Sequence, residues 1–89
     1  MSNPVPMHTR SHGLSINWNP VIGKKDEYRA VYKNCTLHMF KAPSNNWICT
    51  IYITFRSNDR CVIFSGETQD ETEAAELMSD FIGALYIVK

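Results

Sequence analysis

The chain has 89 residues, with nine lysines and arginines against nine aspartates and glutamates, and 44% of it is hydrophobic. That is one domain's worth of sequence, too apolar to stay disordered and short enough that its core must be thin. No apolar run approaches the ~20 residues that span a membrane, and Met1 to Pro6 lacks the basic and apolar regions of a signal peptide. A cytoplasmic protein with no membrane contact is the expectation.

Residues 1–13, with two prolines, a glycine and no periodicity, read as an N-terminal arm ahead of a single domain over 14–89. Leu14 to Trp18 alternates as a short edge strand would, and Pro20 is expected to end it. Val21 to Glu27 is a loop, and Tyr28 to Tyr32 alternates again. Lys33-Asn34 offers a tight turn, with Asn34 the residue suited to a left-handed backbone. Cys35, Leu37 and Met39 then alternate with Thr36, His38 and Phe40. After the loop Ala42 to Asn46 comes the strongest strand pattern, Trp47 to Phe55, with Trp47, Cys49, Ile51, Ile53 and Phe55 on one face. Ser57 to Arg60 turns the chain into Cys61 to Phe64, and Ser65-Gly66 reads as the turn into a helix. These hairpin-length connections predict sequential antiparallel strands.

The helix is expected to start near Thr68, with Thr68 and Glu71 forming a capping box. Ala74, Leu77, Met78, Phe81, Ile82, Leu85 and Val88 share one helical face. Gly83 could end the helix and leave a terminal strand, but the apolar period favours continuation. The predicted fold is therefore α+β, a three- to four-stranded antiparallel sheet covered on one face by a C-terminal helix. Leu77, Met78, Phe81 and Leu85 would pack on the strands.

Motifs for chemistry are sparse. Cys35, Cys49 and Cys61 are odd in number, unpaired by spacing and embedded in strand patterns, so they read as small core hydrophobes. His8 and His12 have helical metal-pair spacing but no third ligand, and His38 reads as a lone residue on the outer sheet face. Neither a nucleophile elbow nor a phosphate loop is present, so no enzymatic activity, cofactor or metal is expected.

Charge is more informative. Lys24 to Arg60 holds seven bases and three acids, whereas Glu67 to Asp80 holds six acids and no base. Those acids, Glu67, Asp70, Glu71, Glu73, Glu76 and Asp80, read as a solvated helix face or an acidic docking surface. A second candidate face is the outer sheet surface, where Phe40, Tyr52, Arg56 and Arg60 could stack on and neutralise single-stranded nucleic acid. The same aromatics suit a protein interface.

From Tyr28 to about residue 86 the order is strand, loop, the tryptophan-led strand Trp47 to Phe55, a third strand, Ser65-Gly66, then an acidic helix start with Glu73-Ala74-Ala75. That order resembles small phage and mobile-element proteins of the anti-CRISPR and host-defence-inhibitor type. The resemblance implies a non-enzymatic protein in the host-cell cytoplasm that binds a host protein or nucleoprotein complex, such as a CRISPR effector. The same order resembles the later part of a double-stranded-RNA-binding domain. Such domains carry lysines where this chain has Asp70, Glu71 and Glu73, and acids there would repel phosphate. A protein partner is thus favoured over nucleic acid, with a homodimer through the outer sheet face as a third reading.

Overall fold

The computed structural model describes residues 16–86. The proposed arm, His8, His12, Leu14 and Val88 lie outside them. Five strands, β1 (Asn19–Pro20), β2 (Glu27–Tyr32), β3 (Cys35–Lys41), β4 (Trp47–Thr54) and β5 (Arg60–Thr68), precede one helix, α1 (Glu71–Tyr86). The sheet is antiparallel in the order β1-β2-β3-β4-β5. The α+β class and the covering helix are as expected, but the sheet has five strands rather than three or four. The N-terminal strand is a two-residue bridge at Asn19–Pro20, where Pro20 is tolerated because its missing N–H falls on an edge. Ile16 and Trp18 precede it without strand pairing, and both are buried.

Alternation decides the two faces. Leu37, Cys49 and Met39 are fully buried, as are Cys35 and Ile51, and they line the inner face beneath α1. Cross-strand pairing aligns Ala30 with Leu37 and Ile51, and Cys49 with Met39 and Gly66, so the inner rows run across the sheet. Gly66 is therefore a strand residue, not a turn. Added there, a Cβ would meet Cys49 Sγ, Leu77 Cδ2 and Phe64 Cζ at 3.5 Å, so the helix lies directly over this part of β5.

Several hairpin details differ from expectation. The left-handed residue of the Lys33-Asn34 turn is Lys33 (φ 56°). Its ammonium sits 5.6 Å from the ring centres of both Tyr32 and Tyr86, which offsets the backbone cost of about 1 kcal/mol. Phe55 is half-exposed and belongs to the loop, because β4 ends at Thr54 opposite Arg60. That loop and Ala42 to Asn46 share one design. In each the first residue's amide bonds to the fifth residue's carbonyl (Ala42 to Asn46, Phe55 to Asp59), and an asparagine takes the left-handed position, Asn45 at 74° and Asn58 at 71°.

Strand β5 carries a bulge. Ile51 opposes Phe64 and Tyr52 opposes Val62, so Ile63 is the extra residue. Below the bulge Cys61 is exposed, unlike the buried Cys35 and Cys49, and is not the core hydrophobe expected.

The helix runs through Gly83 to Tyr86, as its period suggested. Its buried face is rotated from the predicted one. Ala74, Ala75, Met78, Ser79, Ile82 and Gly83 are buried, while Phe81 is only partly buried and Leu77 and Leu85 remain 39% and 46% exposed. Small side chains at 75, 79 and 83 let the helix approach the sheet, and this close approach outweighs the larger area of the leucines. Met78→Ala should accordingly cost about 2–5 kcal/mol. Leu77→Ala should cost clearly less, and the comparison is read from urea unfolding at constant slope.

Candidate functional site

One end of the sheet collects the starts of β2 and β4, the ends of β3 and β5, and the start of α1. The chain reaches it through Asp26, which takes a left-handed backbone (φ 55°) and accepts the Lys41 amide at 3.0 Å. Inside this corner Tyr28 stacks on Trp47, ring centres 6.1 Å apart.

The helix cap sits two residues later than predicted. Thr68 is still in β5, paired with Trp47, and its hydroxyl donates to the Asp70 carbonyl at 2.8 Å. Asp70 is the cap: its Oδ1 accepts the Glu73 amide at 2.8 Å, and its carbonyl accepts the Ala74 amide. Glu73 reaches back to the Gln69 amide at 3.4 Å. The cap is thus Asp70, with Glu73 bracing the residue before it, because Ser65 to Thr68 are held in the sheet by Thr50 to Trp47.

Of the six acids singled out by sequence, Asp70, Glu71 and Glu73 lie together in the first turn. Glu76 and Asp80 continue along the exposed side of the helix. Glu67 stands apart: it opposes Ile48 on the outer sheet face, where its Oε2 accepts a 2.7 Å bond from Asn46. Sequence reasoning missed Asp26, which arrives from 45 positions away to face Glu71. Burial, then the charges of Asp26 and Asp70, push the Glu71 carboxyl above its ordinary range, with Lys41 only partly opposing them. Burial, then Glu71 and Asp26, likewise raise the Tyr28 hydroxyl. The corner is an anionic patch held at some cost.

The opposite end is cationic and aromatic. Lys33 lies between Tyr32 and Tyr86, and the Arg60 guanidinium lies 5.0 Å from the Tyr52 ring centre. Burial and hydrogen bonding lift the Tyr86 hydroxyl to about 12, with the contact to Cys35 Sγ (3.5 Å) the largest cause. The same hydroxyl donates to Asn34 Oδ1.

The outer sheet face carries the residues expected of it, but they do not form one patch. Tyr52, Arg60 and Val62 gather at the cationic end, with Arg56 in the adjoining loop. Phe40 lies two rows away, opposite Ile48 and Glu27, with Glu67 next in the row. His38 is on this face as predicted, yet it has a partner: Glu27 Oε2 at 2.7 Å from its Nε2. That diagonal contact depends on strand register and left no sequence signal. Beside β1, an open groove of about 560 Å³ is lined by Asn17, Asn19, Ile22, Arg29 and Val31 among others. Among the described residues, no three His, Cys, Asp or Glu side chains are placed to hold a metal, and no helix is long and apolar enough to cross a membrane.

The raised Glu71 carboxyl fixes the sign of a pH effect. The folded state holds this proton more tightly than the unfolded chain, so stability falls as pH rises from the ordinary carboxylate range through the folded value. Glu71→Gln should therefore melt higher than the parent at neutral pH, and the two melting temperatures should converge below about pH 4. Comparison with protein-family models, curated proteins and solved structures found no match to this chain.

Proposed function

We propose that this protein is a non-enzymatic binding protein that acts by protein–protein contact, using its acidic corner and the exposed side of α1. The supporting observation is the convergence of Asp26 with Asp70 and Glu71. Acids from two distant segments are brought together although their mutual repulsion and burial raise the Glu71 carboxyl. A solvated helix face alone does not require that convergence. Surfaces of this sign are complementary to the basic grooves with which nucleoprotein machines hold their nucleic acid. The partner class proposed, following the resemblance to phage-type defence inhibitors, is a host nucleoprotein complex such as a CRISPR effector, met in the host cytoplasm.

The outer face is the weaker candidate for nucleic acid, because Glu27 beside Phe40 and Glu67 beyond Ile48 share its row. Phosphates following a path from Tyr52 to Phe40 would meet those carboxylates.

A pull-down from bacterial lysate, with and without nuclease, separates the readings. Capture of a protein that survives nuclease and weakens roughly tenfold or more on Glu73→Lys with Glu76→Lys is the expected result. Capture abolished by nuclease and by Tyr52→Ala would transfer the function to the outer sheet face.

A further inference from the structure

The two edges of the sheet are unlike. The β1 edge is two residues long and ends on Pro20. The β5 edge is nine residues long, contains neither proline nor lysine, and has no strand beyond it among the described residues. At about 3.4 Å per residue it spans ~30 Å, nearly the length of the molecule, whose extents are 36 × 30 × 21 Å. Such an edge presents a row of unpaired amides and carbonyls, and soluble proteins ordinarily blunt it.

Apolar surface lies on the same flank. Leu77 reaches over Gly66 of β5, and Phe81 packs on Phe64 with ring centres 5.0 Å apart. Leu77 and Leu85 are left 39% and 46% exposed, and Val62 on the strand is 60% exposed. The helix has therefore turned part of its apolar stripe toward the open edge.

We infer that the β5 edge pairs antiparallel with the β5 edge of a second copy of this chain, joining two five-stranded sheets into one of ten strands. The bulge selects the register. Before Ile63 the outer-face residues are Arg60 and Val62, opposite Thr54 and Tyr52; after it they are Ser65 and Glu67, opposite Thr50 and Ile48. In a regular strand, residues an odd number apart lie on opposite faces. Across this bulge they share a face. A two-fold axis between Ile63 and Phe64 then sets Val62 against Ser65 and Cys61 against Gly66, each pair on a common side. It also sets Arg60 against Glu67 of the second copy, and Glu67 against its Arg60. The cationic end of one protomer meets the acidic end of the other, and the Leu77 and Phe81 flanks of the two helices come together on the inner side. This pairing goes beyond the proposed partner binding and does not depend on it.

Sedimentation equilibrium on the full chain tests the pairing. The expected mass approaches twice the 10.2 kDa of one chain at micromolar to submillimolar concentration. R60E alone and E67R alone each weaken self-association about tenfold, since two opposed pairs per dimer turn from attraction to repulsion. The double swap R60E/E67R restores it. Both positions are exposed, so circular dichroism should show the fold unchanged. In a C61S background, V62C/S65C should oxidise to a covalent dimer; those cysteines lie too far apart along one strand to bridge within a chain. A parent that stays monomeric to millimolar concentration overturns the inference. So does a dimer indifferent to the single reversals, a double swap that fails to restore, or the absence of the cross-link.

Discussion

A single helix has to cover the inner face of a five-stranded sheet, and its width is not enough. Strands spaced about 4.8 Å apart make a sheet about 20–25 Å wide, whereas a helix with its side chains is about 10–12 Å across. The helix lies over β3, β4 and β5. Ala30 of β2 is buried with help from Trp18 and Ile16, which enter the same core from the segment before β1. This coverage problem explains why an irregular stretch near the N-terminal side is as buried as the central strands. It also explains why the helix turns its small residues, not its leucines, to the sheet: close approach over the middle strands leaves one flank open above β5.

What the sequence made legible follows from how each element is stabilised. Trp47 to Thr54 and Cys35 to Lys41 are central and alternate buried with less buried residues along most of their length, and the first is nearly all β-branched or aromatic, so alternation located them. Ser65 to Thr68 has no such pattern. Those residues are in the sheet because Trp47 to Thr50 supply pairing partners, a tertiary cause that no local signal reports. The helix face was misplaced for a related reason. Ala75, Ser79 and Gly83 contribute little apolar area, so a hydrophobic period weights them lightly even though they decide the distance of approach.

The candidate site was partly legible in the same sense. A run of acids is visible in composition, and Asp70, Glu71 and Glu73 do cluster. Glu67 left the group because strand parity aims it at the other sheet face, and Asp26 joined because β2 begins where α1 begins. The resulting molecule is neutral as a whole but polar from end to end, with Asp26, Asp70 and Glu71 at one pole and Lys33, Arg56 and Arg60 at the other. A field of that shape orients an approaching partner even though it adds no net attraction.

Each strand pairs with the next one in the chain, and that simple order has a kinetic consequence. Nearest-neighbour hairpins have short loops and low contact order, so the meander can assemble quickly and stepwise from its turns. The helix that seals it follows all five strands. Any meander that forms before α1 docks therefore has Leu37, Met39, Cys49 and Ile51 facing water. Docking of the sixteen-residue α1 thus competes with association of bare sheets, and a substitution that loosens Met78 or Ile82 would lengthen the vulnerable interval.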